Sequence, residues 1–475
     1  MKLLPLLLMC ALPALARAGD LPDLGDPSQE VLSPQQERQI GEQSMFEIRA
    51  DKSYLDDAEV NDYLNLLGDK LVANSNEPGQ DFKFFAINDN AINAFALPGG
   101  FVGVNSGLIV IAQSESELAS VLAHEVSHVT QHHLARMMAG QKFDSLATIA
   151  AVAAAILAAR SNPSVSMATI GGVMAGQIQR QLTFTREHEQ EADRIGLATL
   201  EKSGFDVRAM PTFFERLQRG TRLVDSSIPD WMRTHPVTSD RIADIDNRVR
   251  QMPYRLVPDS LDFQLVRNKL LVMNKPPQEA VAYFTDALGP RKFGNPVAQR
   301  YGLTLALLRS DNLPRAREEL AALLKQPEAA ADAMIATLAG QIYRAEGMSN
   351  AKLAEFYKAA VQAHPEHRAL AYDYADVLIE SRHFDPALKL LDERIASYPN
   401  DARLYELQAR TYAALNKPQE EHHALAYAYI SHGNLRGAIE QLELAKHSGS
   451  DYYQLSVIDN ELKQFREMAA VYEKK

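Results

Sequence analysis

His124-Glu125-Val126-Ser127-His128 sets two imidazoles four residues apart, with a carboxylate directly after the first. On an α-helix, at about 100° per residue, His124 and His128 lie about 40° apart on one face, where both reach a single ion. Glu125 projects beside them and is placed to take a proton from a water polarised by that ion. The chemistry such a set performs is metal-assisted hydrolysis. A catalytic zinc takes three protein ligands and leaves one position for water, so a third ligand must come from elsewhere in the chain.

Two candidates for that ligand stand out. His132 continues the same helical face, but a group one turn further along must bend back toward the ion. The stretch Thr185 to Leu200, TREHEQEADRIGLATL, reads as a second helix. With Glu189 at 0°, Ala192, Gly196, Thr199 and Leu200 fall within a narrow sector, while Glu187, Glu191 and Arg194 point to the opposite side as a solvated acidic face. Glu189 is therefore the inward carboxylate. Asp193, one turn on, is placed to accept the outer N–H of a ligating imidazole. Thr130 and Leu134 occupy the places where a metzincin carries its Gly and third His, which excludes that continuation.

The motif helix must begin near Ser114, whose pairing with Glu117 is a capping-box signature, and its periodicity carries it to about Met138. Leu118, Val121, Leu122 and Val129 share the sector of His128 and Glu125, so the ionisable trio faces inward and needs compensation, which zinc supplies. Upstream, the sequence turns helical from Gln35 behind Pro34. Lys83 to Ile87 (KFFAI) is strand-like, and Phe101 to Ile111 has strand and turn spacing. The segment Asn93 to Val104, with Asn93, Ala96, Leu97 and Gly99 as its candidate binding residues, presents a strand edge able to align an extended substrate. A helical block then runs to about Arg250, where Met252-Pro253 and Val257-Pro258 form a joint.

Composition bounds the class. The chain has 475 residues, 46% hydrophobic and 23% charged, which predicts two to four folded domains and excludes both a disulfide-stapled peptide and a disordered chain. Lys and Arg number 49 against 61 Asp and Glu, a net charge of −12, so nucleic acid is not expected as a partner. Lys2, the apolar run Leu3 to Leu15 and Ala16-Arg17-Ala18 read as a signal peptide cleaved after Ala18. The single cysteine, Cys10, lies inside it. The mature chain then has no thiol, and any metal must be held by His, Asp or Glu. Phe143 to Gln179 is rich in small apolar residues. Its strongest run is shorter than a bilayer core, which suggests a flap over the site or a peripheral contact with a membrane surface.

The second half repeats itself. Ala375 and Ala409, and likewise Pro365 and Pro399, are 34 residues apart. Ala316 with Leu320, Ala387 with Leu391, and Ala438 with Leu442 and Ala445 extend the rhythm. Small residues at fixed places let paired helices approach closely, and proline ends each second helix. This resembles the tetratricopeptide repeat, with Glu421 in a small-residue slot as a departure.

HEVSH followed by EQEAD, with Ala96 to Gly100 (ALPGG) upstream, resembles the zinc metallopeptidase family that includes the CAAX prenyl endopeptidases and bacterial heat-shock membrane proteases. The resemblance implies Zn2+ held by His124, His128 and Glu189, with Glu125 as general base and Asp193 behind the ligands. Thr234-His235-Pro236 followed by Arg241 also matches a motif of that family. It makes His235 either an oxyanion stabiliser or an occupant of the open metal position that holds the enzyme latent. Signal peptide, peptidase and repeats together are similar to members of the family that serve β-barrel assembly in the Gram-negative periplasm. The implied substrates are misfolded or unassembled outer-membrane β-barrel proteins, and the implied partner of the repeats is the outer-membrane assembly machinery. The alternative is a chaperone or scaffold with a structural zinc. The expected architecture is mainly α: an N-terminal α+β zincin-type metallopeptidase domain followed by an α-helical tetratricopeptide-like solenoid. In residue terms these are a signal peptide (1–18), a leader (19–34), the peptidase domain (35–252), a linker and helical joint (253–294) and the repeat domain (295–475).

Overall fold

The computed structural model describes residues 32–139, 186–223, 229–289 and 294–472. The signal-peptide expectation and the reading of 143–179 lie outside the described residues. Helix α1 (Pro34–Ala50) starts with a closed capping box, in which the Ser33 side chain accepts from the Gln36 N–H and Gln36 accepts from the Ser33 N–H. Helix α2 (Ala58–Val72) follows, then three strands: β1 (Lys83–Ile87), β2 (Ala94–Leu97) and β3 (Phe101–Asn105). The sheet order is β1-β3-β2, with β1 parallel and β2 antiparallel to β3.

Period-two alternation sorts the strand side chains onto two buried faces. Phe84, Ala86, Ala94, Val102 and Val104 join the main core, while Phe85, Phe95, Leu97 and Phe101 pack with Met45 and Ile48 of α1. Each such fully buried Phe or Leu contributes about 1.5–3 kcal/mol. The expected strand signal over 101–111 divides at Ser106, where α3 (Ser106–Ile111) begins. The three residues Ser106 to Leu108, SGL, interrupt the alternation, and the Gly107 N–H turns back to the Asp89 carbonyl at 2.8 Å.

Helix α4 (Glu115–Thr130) carries the motif and is buried along its whole circumference from Ser116 onward. Its Ser114 cap accepts from the Glu117 N–H, whereas the Glu117 carboxylate accepts from the Gln113 N–H at 2.7 Å and pairs with Arg216, so the expected box is half formed. The helix does not run to Met138. It stops at Thr130; His132 takes a left-handed conformation (φ 49°), and α5 (His133–Ala139) starts in a new direction. Helices α6 (Arg186–Lys202), α7 (Ala209–Leu223), α8 (Asp230–Thr234) and α9 (Ser239–Val249) complete the half around the site.

Helices α10 (Leu261–Met273) and α11 (Pro277–Ala287) lead into the repeats. Phe263, Val266 and Leu270 are buried in the same cluster as Val121 and Val126, so the core continues across the joint. Paired helices follow: α12 (Pro296–Arg309) with α13 (Leu313–Leu323), then, after the single turn α14 (Pro327–Ala330), α15 (Ala333–Ala345) with α16 (Asn350–Ala363). Next come α17 (Arg368–Glu380) with α18 (Phe384–Ser397), α19 (Ala402–Ala414) with α20 (Pro418–Ser431), and α21 (Leu435–Ser448) with α22 (Tyr452–Tyr472). Left-handed residues close the turns within pairs at Asp311, Gly347, Arg382 and Asn416, and the repeating residues Ala316, Ala375, Ala387, Ala409 and Ala438 are all buried. The array touches the peptidase half again: Arg368 of α17 bridges Asp62 of α2 (2.6 Å) and Asp401 (2.7 Å), and Lys269 of α10 bridges Asp57 and Glu59. Among the described residues no helix is long and apolar enough to cross a membrane.

Candidate metal centre and active site

Helix α6 lies directly across α4, and a small residue sets the closeness of that crossing. A Cβ on Gly196 would stand 3.1 Å from the backbone of Ala123 and His124. With hydrogen there instead, the helices approach until Glu189 and Asp193, two turns and one turn before Gly196 respectively, face the motif histidines. Both carboxylates are buried.

Four side chains converge. One ligand atom from each of His124, His128, Glu189 and His235 lies within 4.8 Å of all the others, and all four residues are buried. His124 Nε2 is 3.0 Å from His128 Nε2 and 3.4 Å from His235 Nδ1. Glu189 Oε2 is 3.5 Å from His124 Nε2, and Glu189 Oε1 is 3.4 Å from His128 Nε2 and 2.8 Å from His235 Nδ1. Bonds of 2.0–2.1 Å in tetrahedral array require donor separations of about 3.3 Å. Most of the observed spacings match the edges of that tetrahedron.

Charge points the same way. Glu189 and Asp193 pair with the buried guanidinium of Arg241, and Glu125 is buried close by against Trp231 and His235. Three carboxylates and one guanidinium leave a formal deficit of two positive charges, which a divalent cation removes. The field is legible in the protonation equilibria. Burial works to lower the His124 pKa, but the hydrogen bonds to Asp193 and Glu189 overcome it and push it up to about 9. Burial holds His128 down at about 3. Against a desolvation that would raise it, the neighbouring imidazoles hold the Glu189 carboxyl well below the usual carboxylate range. The donor set therefore fits a divalent metal.

The surroundings fix these groups. His124 Nδ1 is 3.0 Å from Asp193 Oδ1, and Arg241 grips Asp193 with Nε and Nη2 at 2.7 Å each. Arg241 Nη1 reaches Glu189 Oε2 at 2.7 Å and donates to the Pro236 carbonyl at 2.9 Å. Glu125 accepts from Trp231 Nε1 at 2.9 Å and stands 3.6 Å from His235 Nε2. The Trp231 indole stacks on the His235 ring with centroids 5.2 Å apart. Its backbone N–H donates to the Ile92 carbonyl at 3.2 Å, which fastens α8 to the loop before β2.

Every site residue read from the sequence thus has a place. His124, His128, Glu189 and His235 come together, with Glu125 and Asp193 against them. His132 stays outside, because the left-handed turn carries it to Glu37 and Glu77, each 3.5 Å away. Glu191 is not on a solvated face: Arg136 Nη1 donates to it at 2.9 Å, and His133 Nε2 lies 3.2 Å away. Of the candidate substrate residues, Asn93 and Leu97 are buried, and Gly99 lies in a turn where Arg38 Nη1 donates to its carbonyl at 3.1 Å. Ala96 remains on β2. Strand β3 is central, so the edge narrows from 93–104 to Ala94–Leu97. Trp231, His133 and the clamping role of Arg241 are absent from the sequence reading. The position of the only tryptophan, four residues before His235, is the one local signal for the first of these.

The His132 contact has a measurable consequence. Hydrogen bonds to Glu37 and Glu77 push its pKa up to about 10, above the ordinary 6.5. A group whose pKa rises on folding stabilises the protein fully below 6.5 and loses that effect as pH climbs through 10. His132→Asn keeps a residue that tolerates the left-handed backbone. The melting-temperature gap between this variant and wild type should be widest at pH 6 and close by pH 10. A gap independent of pH would show that the ion pairs contribute nothing.

Residues 58–249 match the model of peptidase family M48, and residues 351–411 match a tetratricopeptide repeat. A putative beta-barrel assembly-enhancing protease of Vibrio cholerae is 36% identical over 432 residues, covering 89% of this chain and 88% of that one. The beta-barrel assembly-enhancing protease of Escherichia coli K12 is 35% identical over 438 residues, covering 91% and 88%. The mitochondrial metalloendopeptidase OMA1 of Arabidopsis thaliana is 27% identical over 215 residues, covering 45% and 41%. With a relative this similar along nearly all of its length and a buried His/Glu donor set at the matching motif, the chain belongs to peptidase family M48, as a metalloendopeptidase with C-terminal tetratricopeptide repeats.

Proposed function

We propose that the protein is a zinc-dependent endopeptidase of the bacterial periplasm that degrades misfolded or stalled outer-membrane β-barrel proteins and assists barrel assembly. The convergence of His124, His128 and Glu189 beside Glu125 carries the reading. Those three residues would hold zinc, which when bound would supply Lewis acidity and make a nearby water easier to deprotonate. Glu125 accepts the proton of that water and returns it to the leaving amine. The Trp231 N–H, bonded to Glu125 Oε1, holds the carboxylate in place. Asp193 and Arg241 keep His124 in one tautomer.

Strand β2 supports this choice of substrate class. The Asn105 N–H bonds to the Asn93 carbonyl, so in the antiparallel alternation Ala94 and Ala96 turn their N–H and C=O groups away from β3. Ala96 is the partly exposed residue of that edge, and there an extended strand of varied sequence would pair through main-chain bonds, as unassembled β-strands require. The repeats supply a surface for the assembly machinery, in keeping with the names of the bacterial relatives.

His235 Nδ1 stands among the donor atoms, the position that closes a fourth coordination site. We assign it the latent role. Purified protein should contain about one zinc per chain and cleave an unfolded β-barrel precursor. Chelation should abolish cleavage and zinc should restore it. His235→Ala should raise that cleavage several-fold with zinc retained. A fall in the variant would make His235 an oxyanion stabiliser instead, and a metal-free wild type that still cleaves would remove the reading.

A further inference from the structure

A ligating imidazole spends one nitrogen on the ion, and its other N–H must be fixed by an acceptor for the ring to hold its tautomer and orientation. For His124 that acceptor is Asp193. For His128 it is not a carboxylate. His128 Nδ1 lies 2.8 Å from Nδ1 of His133, a buried residue, and His133 Nε2 lies 3.2 Å from Glu191 Oε2, which Arg136 Nη1 holds at 2.9 Å. The His188 ring stacks on His133, with centroids 4.6 Å apart and planes 20° apart.

With His128 Nε2 reserved for the ion, one proton arrangement satisfies every member. His128 donates from Nδ1, His133 accepts at Nδ1 and donates from Nε2, and Glu191 accepts while bonded to Arg136. This leaves the lone pair of His128 Nε2 facing His124, Glu189 and His235. The backbone break after α4 makes the arrangement possible. An unbroken helix would carry residue 133 about 140° around the axis from His128, whereas the left-handed turn at His132 restarts the chain and swings His133 back against it.

We propose that His133, backed by Glu191, is a positioning residue of the metal centre that fixes the tautomer and orientation of His128. The inference rests on the reading of His128 as a ligand. Its first effect is on metal affinity, since losing such a partner typically weakens binding about 10–100-fold.

The test uses the full-length protein and zinc alone, titrated against a chromophoric chelator, with melting of the metal-free protein measured alongside. His133→Phe fills the space without an acceptor and should weaken zinc about 10–100-fold. His133→Gln restores an acceptor oxygen and should recover most of the loss. Glu191→Gln, which leaves the core untouched, should weaken zinc a few-fold and answers the question even if His133→Phe fails to fold. Zinc affinity within twofold of wild type in a folded His133→Phe, or in Glu191→Gln, would overturn the proposal. Equal losses in the Phe and Gln variants, accompanied by equal falls in metal-free melting, would assign His133 to packing alone. The ligand reading has its own control: His128→Ala must lose zinc, and if it does not, that reading fails independently of the relay.

Discussion

Glu125→Gln is expected to lower the rate of peptide cleavage about 10²–10⁴-fold while leaving zinc content and melting behaviour close to wild type. The amide keeps the shape of the acid, and its oxygen still accepts the Trp231 N–H that lies 2.9 Å from Glu125 Oε1. What it loses is the lone pair that takes a proton. His124, His128 and Glu189 do not depend on the charge of Glu125 for their mutual spacing, so the donor set should persist. Single-turnover cleavage of an unfolded β-barrel precursor, run beside metal analysis of the same preparation, separates chemistry from binding. Undiminished cleavage would show that another group moves the proton. Loss of barrel assembly in cells producing this variant would tie that phenotype to proteolysis, whereas a full phenotype would favour a scaffolding role for the repeats.

The second large effect concerns stability. Arg241 is 3% exposed and serves Asp193, Glu189 and the Pro236 carbonyl at once. Arg241→Leu keeps much of the volume but leaves two buried carboxylates without their cation. Removing one partner of a buried ion pair costs about 3–5 kcal/mol. For a peptidase half of this size that is a fall in Tm on the order of 10 °C, with loss of zinc affinity following from the freed Asp193. Arg241→Lys retains a point charge without the planar fork and should fall between the two. Thermal unfolding of all three proteins at one zinc concentration checks this; a Tm for Arg241→Leu within 2 °C of wild type would refute it.

Periodicity carried much of the reading of the fold. KFFAI over 83–87 is β1, Pro34 opens α1 behind Ser33, and the small residues Ala316, Ala375, Ala387, Ala409 and Ala438 are buried between paired helices. These are local or short-range signals, where one residue's type dictates its neighbours' conformation or burial. The helical wheel likewise separated Glu189, which is buried, from Glu187, which is exposed.

It misjudged Glu191 and the length of the motif helix, for a common reason. Nothing between Thr130 and Met138 is a helix breaker, and the turn at His132 is held by Glu37 and Glu77, which lie far away along the chain. Once the chain turns, His133 meets Glu191, so a carboxylate that a wheel sends to solvent acquires a buried partner. Trp231 likewise reaches Glu125 from 106 residues away, and its own place depends on the Ile92 carbonyl.

The sequence by itself determined which groups can do chemistry: two imidazoles and an acid on one turn of helix, and a second helix with one carboxylate facing inward. These follow from a rise and rotation that every helix shares. Only the tertiary structure decided how the groups are held, through the Gly196 crossing, the Arg241 clamp, the approach of His235 and the path from His128 to Glu191. Those depend on distances between segments that no local propensity encodes and that arise only when buried surfaces and buried charges are satisfied together.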